Sequence, residues 1–244
     1  GQQTGSAIVN FSGRAYPKST ITILKDAQIV VTTVADSLAN FQASLQNIAG
    51  GNYFFSVYSE DNNGNRSSLL TFPVSVVSNA TTNIGGIYIA PTIALDKSEV
   101  KKGDNLAIFG QSAGLSEITI QVNSGEPIFA KTKSDGAGIY LYNFDSTPLD
   151  FGDHTTKSKS AVAGEISSFG NAIAFKVGTQ NVFAEYKQCT KRGDVNADCK
   201  VNLVDFSILA YWYKKLGFPI KVDLNGDKKI DLIDFSIMAY NWTG

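Results

Sequence analysis

Two stretches near the C-terminus hold the residues whose spacing points to chemistry. "DVNADCKVNLVDF" (Asp194–Phe206) sets Asp194, Asn196, Asp198, Asn202 and Asp205 at positions 1, 3, 5, 9 and 12 of a loop. "DLNGDKKIDLIDF", which starts 29 residues later, repeats the arrangement with Asp223, Asn225, Asp227, Asp231 and Asp234. Oxygen side chains at these positions of a twelve-residue loop wrap a hard cation such as Ca2+. Position 7 gives only its backbone carbonyl, so Lys200 and Lys229 are compatible there. Val201 and Ile230, at position 8, suit a short cross-loop pairing. Of the eight acidic residues from Glu185 onward, seven fall on ligand positions, whereas a solvated surface would scatter them. Three negative charges in loop one and four in loop two repel one another without a counter-charge. The pattern therefore predicts two Ca2+ ions.

Loop one opens on Arg192-Gly193-Asp194, an adhesion-type tripeptide. Its aspartate is the first expected ligand, and a carboxylate wrapped around a cation is poorly placed for a receptor. Position 6 is Cys199 in loop one and Lys228 in loop two. A residue with a side chain at positive φ there costs on the order of 1 kcal/mol. Cys189 and Cys199 are the only cysteines, and the lone His154 is remote, so a four-ligand zinc site is excluded. The spacing reads as a local Cys189–Cys199 disulfide in an oxidising compartment, or as two reduced thiols in a reducing one.

Each loop is followed by an apolar helical segment, "VDFSILAYWYKKLG" and "IDFSIMAYNW", the first stopped by Gly217 and Pro219. A surface helix needs one apolar stripe, yet these leave almost no polar face. A domain of this size has little core to cover them with. The surplus predicts a partner-binding surface made of Leu203, Val204, Ile208, Tyr211 and Trp212 with Leu232, Ile233, Ile237, Tyr240 and Trp242. Burial of the same residues in the core is the competing reading.

The rest of the chain must carry these loops. Residues 1–178 alternate apolar and polar with period two, as in "STITILKD", which places Ile21 and Ile23 on one face, and "GNYFFSVYSE". The segment also repeats itself. "GRAYPKSTITI" from Gly13 matches "GQSAGLSEITI" from Gly110, and Gly64 with Ser67-Ser68 matches Gly164 with Ser167-Ser168. Offsets near 100 residues fit one immunoglobulin-like sandwich each, with Pro91 marking the junction. "AGGNYFFSVYSEDNNGNRS" resembles bacterial Ig-like domains, which implies that Tyr53 is a tyrosine-corner residue and His154 its counterpart. The expected organisation is mainly β: a sandwich over 1–90, a second over 91–178, a linker over 179–188 and a calcium-binding module over 189–244.

The duplicated D-x-N-x-D loops, the gapless 29-residue repeat and Asp at position 12 resemble the dockerin family. The resemblance covers residues 189–244 and implies two Ca2+ loops, each followed by a helix, that dock onto a cohesin-like partner through loop positions 10 and 11. Those positions are Leu203-Val204 and Leu232-Ile233, apolar where many dockerins carry a hydroxyl pair. That departure favours a greasier interface or docking onto the chain's own Ig-like domain. A non-catalytic assembly protein, extracellular or on a bacterial cell surface, is the leading expectation. The alternative is a structural surface or filament protein whose module packs within the chain or forms a homo-oligomer. No nucleic acid is expected, because the net charge is -1 and no basic stripe appears. No membrane-spanning segment is expected, and no enzyme, because no catalytic set can be assembled around one histidine and two cysteines.

Overall fold

The computed structural model describes residues 6–61, 64–184, 191–196 and 200–243. They form two compact units, Gly1–Ala184 and Glu185–Gly244. The first is all β. Its N-terminal half contains β1 (Ala7–Arg14), β2 (Thr20–Lys25), β3 (Gln28–Val34), β4 (Asn40–Ile48), β5 (Gly51–Glu60), β6 (Leu70–Val76) and β7 (Thr81–Tyr88). They make two sheets, ordered β4-β1-β7 and β3-β2-β5-β6. Alternation does the work: Ile21, Ile23, Phe55 and Val57 face inward and are fully buried against Val9, Phe11 and Phe41. Phe11 meets Phe55 edge-on at 5.0 Å.

The C-terminal half contains β8 (Ala94–Leu95), β9 (Lys97–Lys101), β10 (Asn105–Gln111), β11 (Glu117–Asn123), β12 (Ile128–Lys133), β13 (Ile139–Asp145), β14 (Gly152–Val162), β15 (Glu165–Ile166), β16 (Ile173–Gly178) and β17 (Val182–Phe183). One sheet runs β13-β10-β8; the other runs β12-β11-β14-β16-β9-β17, with β15 beside β14. Leu106, Ile108, Ile118, Ile120 and Leu149 fill the core between them. Val182–Phe183, which the sequence places in a linker, is the strand β17 and pairs with Glu99 and Lys97. Asn181 fixes its approach by accepting the Lys101 N–H at 2.9 Å.

The internal repeat is physical. A Cβ on Gly13 would stand 2.1 Å from the Ile87 carbonyl oxygen, and one on Gly110 would stand 2.1 Å from that of Thr92. Both glycines exist so that a neighbouring backbone can close in. Ser67 Oγ accepts the Ser59 N–H at 3.0 Å, as Ser167 Oγ accepts that of Ser160 at 3.0 Å. Asp36 Oδ1 receives the N–H groups of Leu38 and Asn40, and Asp135 Oδ1 those of Ala137 and Ile139. Tyr53 donates from its hydroxyl to the Ala49 carbonyl at 2.9 Å; His154 donates from Nε2 to the Asp150 carbonyl at 2.8 Å. Histidine thus does the tyrosine's work, bonding four residues back at the same corner.

The second unit is small and helical, with α1 (Leu203–Trp212), α2 (Leu232–Tyr240) and a single 3-10 turn at Ile220–Val222. Val195, Val201, Leu209, Val222, Leu224, Ile230 and Met238 form its core. No helix of the described residues is long and apolar enough to cross a membrane.

The close approach at Gly110 generates a prediction. Gly110→Ala forces a methyl group into the Thr92 carbonyl and should cost roughly 1–3 kcal/mol. A lowered urea midpoint followed by far-UV circular dichroism checks it; an unchanged midpoint would show that the backbone there is free to yield.

Candidate metal centre

The two loops are built alike, and in each the last expected ligand is the structural centre. Asp205 is fully buried, and its Oδ1 accepts the N–H groups of Val195 (2.9 Å) and Asn196 (3.2 Å). Its Oδ2 accepts the Asn202 N–H at 2.9 Å. Asp234, also fully buried, takes the N–H groups of Leu224 (2.8 Å), Asn225 (3.4 Å) and Asp231 (2.9 Å). A buried carboxylate is tolerated only when hydrogen bonds replace its water, and three donors do so here. Each carboxylate joins the entrance of its loop to the start of its helix.

Positions 9 and 12 have a second task that the sequence analysis missed. Asn202 accepts the Val204 N–H at 2.7 Å and Asp231 that of Ile233 at 2.8 Å, while Asp205 and Asp234 return to the cap residues' own N–H groups. These are capping boxes at the first turns of α1 and α2. The signal was present as N-x-x-D and D-x-x-D directly ahead of an apolar run.

Loop two is ordered by its own backbone. Asp223 accepts the N–H groups of Gly226 and Lys228, each at 2.8 Å. Asn225 Oδ1 accepts that of Asp227 at 3.1 Å, and Asp227 Oδ1 that of Lys229 at 2.9 Å. The chain therefore winds around the side chains of positions 1, 3 and 5. Lys228 has φ 66°, the left-handed geometry expected at position 6, while Gly226 takes φ 78° at position 4. In loop one, Asp194, Asn196, Lys200, Asn202 and Asp205 are described; Asp198 lies outside the described residues, as do Cys189 and Cys199 with their expected disulfide. Arg192 of the tripeptide donates from Nε to the Leu224 carbonyl at 2.7 Å, so it ties the run-up of loop one to loop two.

Among the described residues, no three acidic, histidine or cysteine side chains converge closely enough to hold a metal as they stand. The donor set nevertheless fits a hard cation: every side chain at positions 1, 3, 5, 9 and 12 offers oxygen, and no thiolate or imidazole competes. The loop-two residues that would hold it are Asp223, Asn225, Asp227, the Lys229 carbonyl, Asp231 and Asp234.

The two halves embrace one another reciprocally. The Val201 carbonyl accepts the Thr243 N–H at 2.9 Å, and the Ile230 carbonyl accepts the Lys214 N–H at 3.1 Å. Thr243 and Lys214 are again 29 residues apart, so position 8 of each loop is closed by the residue just beyond the opposite helix. Phe206 and Phe235, equivalent in the repeat, meet edge-on with ring centroids 5.1 Å apart. Burial follows the same symmetry. Leu203 and Leu232 are 70% and 69% exposed, and Val204 and Ile233 are 54% each. Tyr211 and Tyr240 are exposed at 60% and 91%, and Trp242 at 43%. Ile208, Trp212 and Ile237 instead pack half-buried against the core, which separates them from the exposed members of the expected surface.

No protein-family model matches the chain, and no curated protein matches it. Solved structures that align include a tetra-tandem repeat from the extending region of a large adhesion protein, at 15% identity and TM-score 0.33. That alignment covers 72% of this chain and 50% of the other, so the chain spans half its length. The fibronectin(III)-like modules of Clostridium thermocellum CbhA align at 16% identity and TM-score 0.27, over 66% of this chain and 79% of theirs. The D0–D1 domain of Intimin aligns at 14% identity and TM-score 0.28, over 68% and 84%.

The staple role of Asp205 can be isolated. Asp205→Asn keeps the volume but turns an amide N–H2 toward at least one backbone N–H, so a buried donor loses its acceptor. In metal-free buffer the substitution should cost about 2 kcal/mol or more. Trp212 and Trp242 are the only tryptophans, so the urea midpoint of tryptophan fluorescence reports this unit alone. No change in that midpoint would deny the carboxylate its structural role.

Proposed function

We propose that the chain is a non-catalytic assembly protein in which a Ca2+-dependent, dockerin-like module docks onto a cohesin-like partner, with two Ig-like sandwiches as spacers. The observation that carries this reading is the duplicated oxygen-donor loop, wound in its second copy on its own N–H groups and opening in both into an exposed apolar pair. Calcium at Asp223, Asn225, Asp227, Lys229, Asp231 and Asp234, and at the equivalent positions of loop one, would neutralise clustered carboxylates and fix the starts of both helices. The docking residues are then the exposed set: Leu203, Val204, Leu232, Ile233, Tyr211, Tyr240 and Trp242. Aromatic and branched side chains of this kind anchor protein interfaces. The corner role of His154 in the second sandwich also supports a non-catalytic reading. An extracellular or bacterial cell-surface location follows from the same resemblance.

Calorimetric titration of the full chain with Ca2+ should give two sites per chain, and Asp223→Ala should leave one. At a free Ca2+ concentration 1,000 times the dissociation constant, the module should gain roughly 4 kcal/mol per site, seen as a raised tryptophan-fluorescence midpoint. A midpoint indifferent to both Ca2+ and chelator would remove the metal from the proposal.

The matched exposure of the two halves favours a second reading, self-association, because a surface with its own two-fold symmetry is suited to a copy of itself. Light scattering on the eluting chain separates the two. Monomer in both Ca2+ and chelator supports a foreign partner; a Ca2+-dependent dimer or larger species, dispersed by Val204→Asp with Ile233→Asp, supports self-association.

A further inference from the structure

We propose that the Ile89–Ile93 junction is a locked joint, which makes the two sandwiches one rigid spacer that unfolds as a single cooperative unit. This goes beyond the docking reading and does not depend on metal. Flexible connections between domains are exposed and polar. Here every residue from Ile87 to Ile93 is buried. Ile89 donates its N–H to the Arg14 carbonyl of the first sandwich at 2.9 Å, and Thr92 donates to the Gln111 carbonyl of the second at 3.0 Å. Only Ala90 and Pro91 lie between these anchors.

Two fully buried tyrosines grip the carbonyls on either side of Pro91. Tyr16, from the first sandwich, donates its hydroxyl to the Ala90 carbonyl; Tyr140, from the second, donates to that of Thr92 at 2.7 Å. Thr92 in turn donates to Asp61 Oδ2 of the first sandwich at 2.8 Å. Elsewhere in the joint, Ser160 donates to the Tyr88 hydroxyl at 2.9 Å, and Arg14 pairs with Glu165 at 2.8 Å. Ala39 and Tyr88 from one sandwich pack with Ala113 and Val162 from the other in a core of their own. Gly170 allows the closure, since a Cβ there would stand 2.8 Å from the Pro91 oxygen.

Unfolding one sandwich would break these hydrogen bonds and expose the apolar joint of the other to water, so separate unfolding is penalised. Burial raises the hydroxyl pKa of both Tyr16 and Tyr140 above the ordinary tyrosine value. Both stay neutral at ordinary pH. The joint holds below about pH 10 and weakens above it, where the unfolded chain ionises and the folded one resists.

Pulsed hydrogen exchange with mass spectrometry, on the full chain across a urea series, follows each sandwich through peptides of β2 and β5 or of β11 and β14. Leu106→Ala, a fully buried change confined to the second core, should lower both midpoints together by the same amount. If β11 and β14 shift while β2 and β5 do not, the coupling is absent and the proposal fails. Should Leu106→Ala not fold, Ile108→Val applies the same perturbation more gently. Tyr16→Phe with Tyr140→Phe keeps both rings and removes both grips. In that background the two midpoints should separate; if they stay together, the tyrosine grip is not what locks the joint.

Discussion

At several turns of this chain, backbone N–H groups without a strand or helix partner are met by a short acceptor side chain. An unpaired buried donor costs about as much as several ordinary hydrogen bonds contribute, so the constraint is severe. The same remedy recurs in both units. Asp36 and Asp135 each gather two N–H groups at a strand turn, and Ser67 and Ser167 each accept one. Asp205 and Asp234 gather three each, deep inside the helical unit. In so small a unit, those two carboxylates hold the loops alongside the apolar contacts of the core.

That economy explains how the proposed metal chemistry and the fold can share residues. Positions 9 and 12 cap the helices whether or not a cation is present, because their acceptors already serve backbone donors. In loop two, positions 1, 3 and 5 are held more locally, by N–H groups two to five residues onward in the same loop. A cation would act mainly on this outer set. The division gives loop two a scaffold end, near the helix, and a more locally held end, near its entrance.

Much of this was legible in the sequence. Strict period two put Ile21 with Ile23 on one face and Tyr53, Phe55 and Val57 on another, all of them buried except the half-buried Tyr53, and the drifting offset of about a hundred residues between Gly13 and Gly110 marked the sandwich repeat. His154 was readable as a corner residue because its neighbours align with those of Tyr53. Three features were not. The two residues of β17 have no periodicity to betray a strand; only the open edge of β9 recruits them. The helices are apolar nearly all round, so no moment separates buried Leu209 and Met238 from exposed Leu203 and Leu232; tertiary contact alone decides. The grip on Pro91 was hidden because Tyr16 and Tyr140 are not equivalent positions of the repeat, and pattern matching sees only what is repeated.

The chain has duplicated a unit twice, and the two duplications have opposite geometric consequences. The sandwiches meet through unlike surfaces: Asp61 and Tyr88 of the first touch Thr92 and Ser160 of the second. Such a contact is heterologous, and each sandwich uses a different surface to make it. It leaves unlike surfaces of the two sandwiches exposed. The loop-and-helix repeats meet reciprocally, with Val201 and Ile230 closed by each other's trailing residues and Phe206 against Phe235. A reciprocal contact closes on itself and leaves like surfaces exposed, which is why Val204 and Ile233 show the same accessibility to solvent. A substitution at one of these paired positions therefore removes half of a surface, while one at the sandwich joint removes a contact that has no twin. Redundancy belongs to the module and uniqueness to the joint, and both follow from whether the repeat was joined by translation or by rotation.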